Sequence, residues 1–292
     1  MGEVIENPES IDVTKPSDAN VISLGALFGP GERSALVILN QAITIPIFPT
    51  LWQRYTLKIC ADGGANRLYS YFDVDEEREK YLPHFIVGDL DSLKDDVANW
   101  YRERGVKIIP QRTQWATDMK KCLDLVEVYF HLADRGETLD VSTLDEYDGL
   151  VQLHKTIERQ SLIDVLMIGA VDGRFDHTIQ SISVLLQLSQ LNQSLRLNYM
   201  TPTDVIALIP KGLNYLDYSK ASFYHGSNCG LLPLGGDIVL TTKGFKWDVK
   251  AWPSSLKGDV SSSNRLVGVS GAVVETDNDF VLSVEIDYSK TS

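Results

Sequence analysis

Short apolar runs separated by amphipathic stretches fill the chain from about residue 34 to residue 209. The runs are typical of buried β-strands, and the stretches between them carry the apolar spacing of helices. Strands are predicted over 34–40, 57–61, 85–87, 106–110, 163–169, 195–200 and 204–209, and helices over 97–104, 119–131, 144–159 and 178–191. This alternation predicts a mainly parallel sheet flanked by helices, with the chemically active loops at the carboxyl ends of the strands.

The pattern changes after about residue 210, where short β-type runs follow one another between Gly and Ser residues. These runs show no helical periodicity, so they predict a separate all-β domain, either a sandwich or a barrel. We therefore expect three regions: a loosely ordered polar tail over residues 1–33, an α/β domain over 34–210 and an all-β domain over 211–292.

Composition narrows the class of protein. The chain has 292 residues, 43% of them hydrophobic, as in a globular protein with a sizeable core. The net charge of −13 argues against nucleic-acid binding, but it permits phosphorylated substrates whose charge a cation balances. No apolar run reaches the roughly 18 residues of a membrane span. The three cysteines lack metal-binding spacing and the first residues lack a basic secretory signal, so we expect a reducing, cytoplasmic location.

An acidic pair follows the apolar run 85–87. Gly88 lets the backbone turn, and Asp89 and Asp91 come next. In an extended segment residues i and i+2 point the same way, so the two carboxylates are expected side by side. A hard divalent cation relieves their repulsion, and Mg²⁺ suits one or two carboxylates together with phosphate oxygens and water. A solvated acidic turn is the alternative.

Two further loops join a strand to a helix through glycine. Glycines let backbone N–H groups approach a ligand, and a helix N-terminus attracts phosphate. Arg174 has a planar fork suited to phosphate oxygens, and Asp176 can bind metal or cap a helix. The alternative for the first loop is an ordinary tight turn. The residues concerned are Asp62, Gly63, Gly64, Asn66 and Arg67 in the first loop, and Gly173, Arg174, Asp176 and His177 in the second.

Two other positions have a purely structural alternative. Thr117 or Asp118 can cap the helix that starts at about residue 119, so Asp118 is either an N-cap or a site residue. Trp247 in the all-β region is either a core side chain or part of a site. The Ser-rich stretch 261–264 beyond it is typical of a loop.

Six segments, in the same order along the chain, resemble the thiamine pyrophosphokinase family of fungi and animals. They are 61–68 (ADGGANRL), 88–92 (GDLDS), 117–118 with Lys121, 173–176 (GRFD), 246–247 (KW) and 262–264 (SSN). The resemblance implies an α/β N-terminal domain that binds ATP and Mg²⁺, and a C-terminal antiparallel β-sandwich that binds thiamine and forms a homodimer. It implies transfer of pyrophosphate from ATP to the hydroxyethyl group of thiamine, giving thiamine diphosphate and AMP.

Site roles follow from the resemblance together with the loops described above. The metal-binding and catalytic candidates are Asp89, Asp91 and Asp118. The candidates for ATP and phosphate binding are Asp62, Gly63, Gly64, Asn66, Arg67, Lys121, Arg174, Asp176 and His177. The candidates for thiamine binding are Gln114, Trp247, Ser262, Ser263 and Asn264.

The tryptophan links the implied dimer to the implied substrate. In the family it comes from the partner subunit, which makes the active site composite, and an aromatic face attracts the thiazolium cation of thiamine. Two features of this chain depart from the family pattern. The segment 135–161 is long, and the bulky Trp115 stands beside Gln114.

Two other functions stay open at this point. One is a non-catalytic sensor of thiamine or nucleotide, and the other is a different Mg²⁺-dependent phosphoryl or nucleotidyl transferase. Three aspartates at strand ends argue against the sensor, because binding alone seldom turns so much negative charge toward a phosphate. AMP rather than ADP as the product separates a pyrophosphokinase from an ordinary kinase.

Overall fold

The computed structural model describes residues 2–158, 161–191 and 194–290. The α-helices within these ranges are α1 Phe48–Arg54, α2 Gly64–Tyr71, α3 Asp75–Arg78, α4 Asp95–Glu103, α5 Asp118–Asp134, α6 Gly149–His154 and α7 Phe175–Leu191. None of the helices in the described chain combines the length and apolarity needed to cross a membrane.

The strands are spread along the whole of the described chain. They are β1 Glu3–Glu6, β2 Asn20–Ser23, β3 Ser34–Ile38, β4 Leu57–Ala61, β5 Phe85–Gly88, β6 Lys107–Pro110, β7 Ile163–Ile168, β8 Leu195–Met200, β9 Asp204–Ile209, β10 Gly212–Asp217, β11 Asn228–Leu232, β12 Ile238–Lys243, β13 Trp247–Lys250, β14 Trp252–Ser254, β15 Ser261–Arg265, β16 Gly271–Thr276 and β17 Phe280–Glu285.

The chain divides into two compact units. One, the α/β unit, contains Pro30–Val184 and with it β3 to β7 and α1 to α6. The other, the β unit, contains the N-terminal residues up to Gly29 and the chain from Asn198 onward. The predicted fold class is confirmed: a parallel sheet with helices comes first, and antiparallel strands that form a sandwich follow it.

Five parallel strands form the sheet of the α/β unit, in the order β7-β3-β4-β5-β6. Every residue of β3 and β5 is buried, as expected of strands that helices cover on both faces. Parallel pairing sets Ala61 opposite Val87, and Gly88 opposite Pro110. Because these strands run in one direction, their carboxyl ends meet at one edge, and the residues that follow them build the site.

Besides the β1–β13 pair, the β unit contains two larger sets of paired strands. One has the order β14-β12-β16-β10, all antiparallel, with β2 added in parallel at its edge. The other pairs β8, β9, β17, β11 and β15 in antiparallel fashion. Large apolar side chains from both sheets and their connections are fully buried, among them Leu240, Phe245 and Phe280. Burial of such side chains is the main stabilising contribution.

The N-terminal segment is not the loose tail that its polar composition suggests. β1 pairs antiparallel with β13, with Glu6 opposite Trp247, and β2 pairs with β10. The prediction is wrong for these two strands because each is stabilised by a partner strand far along the chain. A local pattern of polar residues does not report such a partner.

Other sequence-based predictions differ in extent. β9 was expected in the domain ending at residue 210, but it pairs with β17 inside the β unit. Ser222–Tyr224, in the region where the pattern predicts short β-type runs, is a 3-10 turn. The helix expected over 144–159 is the shorter α6, and position 159 lies outside the described residues. The pattern did not predict β13 and β15, which carry candidate thiamine-binding residues.

Candidate active site

A cavity of about 600 Å³ lies at the carboxyl edge of the parallel sheet in the α/β unit. Its walls come from the segments that follow β3, β4, β5, β6 and β7, the usual ligand position in open α/β sheets. Several predicted site residues from separate loops therefore share one cavity. They are Asp62, Asp89, Asp91, Gln114, Asp118, Lys121, Arg174 and His177.

Three carboxylates converge in this cavity. One oxygen from each of Asp62, Asp89 and Asp118 lies within 4.8 Å of the other two. Asp62 follows β4, Asp89 follows β5 and Asp118 begins α5. This cluster contains Asp62, which was expected to bind phosphate, and Asp91 is not part of it. Carboxylate oxygens at this spacing fit a hard divalent cation such as Mg²⁺.

The backbone at Leu90 explains why Asp91 lies outside the cluster. Leu90 has a φ of 67°, so the segment 89–91 is not extended, and the expected parallel alignment of Asp89 and Asp91 is wrong. The Asp91 N–H donates to Asp89 Oδ1 at 3.3 Å, while the Asp91 carboxylate accepts from Ser92 Oγ at 2.9 Å. Asp91 still lines the cavity, and its role as a metal ligand stays a prediction.

Gly88 lets the three carboxylates approach one another. A Cβ atom at this position would lie 2.7 Å from Asp62 Cβ and 3.1 Å from both Cγ and Oδ1 of Asp118. Ordinary van der Waals contacts begin at 3.4 Å. The absence of a side chain at the end of β5 is therefore a steric requirement of the cluster.

Asp118 is free for the site because its neighbour caps the helix. Thr117 is the N-cap of α5, and its Oγ1 accepts from the Lys120 N–H at 3.3 Å. The N-cap alternative for Asp118 is therefore wrong. Asp118 Oδ1 instead accepts from the Asp89 N–H at 3.2 Å and from Lys121 Nζ at 2.9 Å.

Lys121 is almost fully buried, with only 1% of its side chain exposed. Its ammonium ion donates to Asp118, so it offsets part of the negative charge of the cluster. A buried lysine requires such a partner, because an unpaired buried charge is strongly unfavourable. The structure therefore places the Lys121 charge on an aspartate, whereas the sequence suggested a phosphate.

Burial alters the proton affinity of all three carboxylates. It raises the pKa of Asp62 above its ordinary value, although the hydrogen bond from the Gly63 N–H acts to lower this pKa. It also raises the pKa of Asp118, although the hydrogen bond and charge of Lys121 oppose this. Burial likewise raises the pKa of Asp89, but hydrogen bonds from Gln114 and the Asp91 N–H outweigh it, so the net pKa is lowered. Like charges this close favour a proton or a cation between them.

Asp62 combines a strained backbone with a supporting role. It has a φ of 43°, a region where aspartate is one of the few tolerated residues. Its two carboxylate oxygens accept from the N–H groups of Leu93 at 3.1 Å and Ser92 at 3.2 Å. The side chain therefore holds the loop after β5 and leaves its remaining lone pairs for the cluster.

The turn of Gly63 and Gly64 is a close-packing feature. A side chain on Gly63 would overlap the Asn40 amide, and one on Gly64 would overlap the Ile38 carbonyl. The tight-turn alternative accounts for both glycines, because their lack of side chains lets the start of α2 pack against the end of β3. Phosphate binding by this turn stays a prediction.

Asn66 and Arg67 brace the walls of the site. Asn66 Nδ2 donates to the Ser92 carbonyl at 2.7 Å, and its Oδ1 accepts from the Lys94 N–H at 3.1 Å. Arg67 Nε donates to Asn40 Oδ1 at 2.8 Å. These side chains hold the loop after β5 and the end of β3 to helix α2. Neither Asn66 nor Arg67 is among the described residues that line the cavity.

Gln114 reaches the carboxylate cluster from the segment between β6 and α5. Its Nε2 donates to Asp89 Oδ2 at 3.1 Å. The adjacent Trp115 is 92% exposed, and its N–H donates to Thr113 Oγ1 at 3.3 Å. Gln114 is therefore a cavity-wall residue whose position is tied to a member of the cluster.

Arg174 and His177 line the cavity from the loop after β7 and the start of α7. The Arg174 guanidinium forms a fork with Asp176, with bonds of 3.1 and 2.6 Å, and both side chains are mostly exposed. The hydrogen bond from Arg174 holds the pKa of Asp176 below its ordinary value. Asp176 is thus an ion-pair partner of Arg174, and it is not among the described residues that line the cavity.

The β unit brings two predicted thiamine-binding residues together. Trp247 begins β13 and is 39% exposed, so it is not a core side chain. Asn264 is buried, and its side chain accepts from the Trp247 N–H at 3.1 Å and donates to the Trp247 carbonyl at 2.9 Å. Ser262 and Ser263 lie beside it on β15 with exposed side chains. Asn264 therefore fixes the backbone that presents the indole.

Asn40 and Gln41 are cavity residues that sequence reasoning missed. They follow β3 as Asp62 follows β4, and the rule that strand ends carry the site would have found them. Gln41 packs against the loop after β7, where a Cβ atom on Gly169 would lie 3.0 Å from Gln41 Cβ. Both amides add uncharged donors and acceptors to the cavity beside its charged side chains.

Comparison with known proteins gives consistent matches over both units. Two family models match: "Thiamin pyrophosphokinase, catalytic domain" over residues 48–197 and "Thiamin pyrophosphokinase, vitamin B1 binding domain" over residues 216–281. The thiamine pyrophosphokinase of Saccharomyces cerevisiae is 41% identical, with 99% of this chain and 98% of that protein covered.

Solved structures agree over the full chain. Thiamin pyrophosphokinase from Candida albicans superposes with a TM-score of 0.89 at 34% identity, covering 98% of this chain and 99% of that one. Yeast thiamin pyrophosphokinase gives a TM-score of 0.89 at 40% identity, covering 99% of this chain and 98% of that one.

Proposed function

The chain belongs to the thiamine pyrophosphokinase family, and from this premise we propose that it transfers the pyrophosphoryl group of ATP to the hydroxyl of thiamine. The products are thiamine diphosphate and AMP, and the transfer is direct and requires Mg²⁺. The convergence of Asp62, Asp89 and Asp118 within 4.8 Å is the observation that carries this proposal.

The charges around the cluster support a bound cation. Three carboxylates meet there, and Lys121 supplies one positive charge against them. Asp62, Asp89 and Asp118 would hold the Mg²⁺, with Asp91 near enough to line the same cavity. When bound, the ion offsets charge on the phosphate oxygens and on the leaving AMP. The protein side chains then position ATP and the alcohol for an in-line transfer.

Arg174 and His177 are the side chains we propose for the phosphates of ATP. Both line the cavity that contains the carboxylate cluster. The Arg174 fork is already shaped for two oxygens, and its present partner Asp176 is an exposed carboxylate. Exchange of an exposed carboxylate for a phosphate costs little, because surface ion pairs contribute little to stability.

Thiamine recognition combines Gln114 with Trp247 in our proposal. Gln114 lies beside Asp89 and presents an amide to the cavity. The indole of Trp247 is accessible and can attract the thiazolium ring, an interaction of about 0.5–2 kcal/mol. We propose a homodimer with a composite site, in which the partner subunit's Trp247 meets thiamine held at the carboxylate cluster. Asn264 supports that tryptophan through two backbone hydrogen bonds, and Ser262 and Ser263 on the same strand are proposed to contact thiamine.

Incubation of the purified chain with ATP, Mg²⁺ and thiamine tests the proposal. Thiamine diphosphate and AMP should form in equal amounts, and a chelator should stop the reaction. Asp118→Asn should abolish turnover because it removes a charge from the cluster without changing shape. Asp95→Asn is the matched control, because Asp95 is an exposed acid in the first turn of α4. ADP as the product would indicate an ordinary kinase, and binding without turnover would indicate a sensor.

A further inference from the structure

Gln111 is a fully buried polar residue directly after β6, and it is not among the described residues that line the cavity of the candidate active site. We propose that Gln111 is a positioning residue that ties the substrate loop, residues 112–117, to a bracing segment, residues 145–150. The bracing segment belongs to the long stretch 135–161, whose purpose the sequence did not reveal. This inference rests on the proposed function, because it gives Gln114 in the substrate loop a role in binding thiamine.

The hydrogen bonds of Gln111 connect three parts of the α/β unit. Its backbone N–H donates to the Gly88 carbonyl at 2.7 Å, which lies next to Asp89. Its side-chain Nε2 donates to the Asp145 carbonyl at 2.9 Å, and its Oε1 accepts from the Leu150 N–H at 2.8 Å. The side-chain amide of Gln111 is therefore hydrogen-bonded to both ends of the bracing segment, and its backbone N–H is hydrogen-bonded to the end of β5.

The backbone continues this connection into the substrate loop. The Arg112 N–H donates to the Glu146 carbonyl, and the Thr113 N–H donates to the Tyr147 carbonyl, both at 2.8 Å. Asp145 Oδ1 accepts from the Tyr147 N–H at 2.9 Å and closes the turn that presents these carbonyls. Two backbone hydrogen bonds thus hold the first two residues of the substrate loop to the bracing segment.

Gln114 follows directly from these two fixed residues. Thr113 is buried, and its Oγ1 accepts the Trp115 N–H at 3.3 Å, so the backbone on both sides of Gln114 is held. The Gln114 Nε2 then reaches Asp89 Oδ2 at 3.1 Å. A small displacement of residues 112 and 113 would move this amide relative to the carboxylate cluster.

Helix α6, which begins within the bracing segment, is itself anchored to the helix that carries Asp118. His154 at the end of α6 contacts Glu127 Oε2 through Nε2 at 2.8 Å and Asp124 Oδ1 through Nδ1 at 3.3 Å. Asp124 and Glu127 lie on α5. Gln114 and Asp118 are therefore located with respect to the same helix, one through the bracing segment and one directly.

The chemistry of Gln111 favours positioning over simple filling of the core. An apolar side chain of equal size would fill the same volume. It would leave the Asp145 carbonyl and the Leu150 N–H buried without their partner, and buried polar groups are almost always paired. Gln111→Met therefore keeps the side-chain volume and removes only the hydrogen bonds to Asp145 and Leu150.

Steady-state kinetics of Gln111→Met test the proposal. We expect kcat/KM for thiamine to fall about tenfold, because a substrate-binding amide shifted by a fraction of an ångström loses alignment. KM for ATP should change by less than about twofold, since the phosphate side chains lie on another loop. Glu146→Ala is the matched control. It removes the exposed ion pair with Arg112 and keeps the backbone bond, so it should behave as wild type.

A double-mutant cycle with Gln114→Ala separates positioning from a general structural effect. If Gln111 acts through Gln114, the loss caused by Gln111→Met should largely disappear in the Gln114→Ala background. Equal losses in both backgrounds, or an unchanged kcat/KM for thiamine in folded Gln111→Met, would overturn the proposal. Should Gln111→Met fail to fold, Gln111→Glu takes its place, because it keeps the acceptor for the Leu150 N–H.

Amide hydrogen exchange gives a readout that does not depend on activity. The N–H groups of Arg112 and Thr113 should lose protection in Gln111→Met and keep it in Glu146→Ala. Unchanged protection of both amides in Gln111→Met would overturn the inference even if activity fell. A wild-type chain that forms no thiamine diphosphate would refute the proposed function alone, and the exchange experiment would still decide the role of Gln111.

Discussion

Replacing Gly88 by alanine is the most direct perturbation of the carboxylate cluster. The new Cβ would lie 2.7 Å from Asp62 Cβ and 3.1 Å from Asp118 Oδ1. Gly88 does not have a positive φ, so alanine meets no backbone strain there. The effect of the substitution is therefore steric, and it acts where two of the three carboxylates meet.

The size of the effect follows from the contact distances. To reach an ordinary contact of 3.4 Å, the Asp62 Cβ must move by about 0.7 Å. Displacements near 1 Å in a catalytic group can cost about 100-fold in rate, so we expect kcat/KM to fall between about 10-fold and 100-fold. Overpacking of a buried position costs about 1–3 kcal/mol in the free energy of unfolding, so the melting temperature should drop modestly.

The assay measures AMP release at saturating ATP while thiamine and Mg²⁺ are varied in turn. Gly88→Ala should need more Mg²⁺ for half-maximal rate, because its carboxylate oxygens no longer share one centre. Gly31→Ala is the matched control, since a Cβ atom at Gly31 would meet nothing within 4 Å. Normal kcat/KM and normal Mg²⁺ dependence in folded Gly88→Ala would refute the convergence of the three carboxylates at this glycine.

Three further predictions concern thiamine binding, the N-terminal strand and pH. Trp247→Ala should raise KM for thiamine about tenfold and leave KM for ATP unchanged in steady-state assays, and an unchanged KM for thiamine would remove Trp247 from the site. Deletion of residues 2–11 should also raise KM for thiamine, because it removes β1, which pairs with β13; unaltered kinetics would show that β1 has no such role. Burial raises the pKa of Asp62 and Asp118 in the folded protein. Without metal, the protonated carboxyl groups therefore stabilise the fold at pH values below their unfolded pKa, and this stabilisation is lost as the pH rises through their folded pKa. Calorimetry should therefore show a Mg²⁺-induced rise in melting temperature of about 5 °C at neutral pH that shrinks as the pH falls into the range where Asp62 and Asp118 take up protons, and a rise of equal size at every pH would contradict this.

The order of strands and helices in the α/β unit could be predicted from sequence, because strands buried on both faces need continuous apolar runs. The runs at 34–40, 57–61 and 163–169 correspond to β3, β4 and β7. The site was also expected at the strand ends, and eight of the predicted residues line one cavity there. Six short segments in order further identified the family, which both units match.

Several local features depend on a neighbour in space that the local pattern does not report. The cap of α5 was open between Thr117 and Asp118, and Thr117 takes that role, so the Asp118 carboxylate joins the cluster. Residues 3–6 looked too polar for a strand, but β13 supplies their hydrogen-bond partners. Gln111 carried no motif at all, and the positioning role that we propose for it rests on the bonds it makes to Asp145 and Leu150.

Periodicity and motif order are local properties of the chain, so the architecture, the family and the acidic character of the site could be predicted from them. Which carboxylates meet depends instead on the three-dimensional fold. Parallel pairing of β4 and β5 sets Ala61 opposite Val87, which brings Asp62 and Asp89 to the same edge. The left-handed backbone at Leu90 leaves Asp91 outside the cluster. Strand register and single backbone dihedrals control such contacts, and neither can be inferred from the spacing of apolar and polar residues.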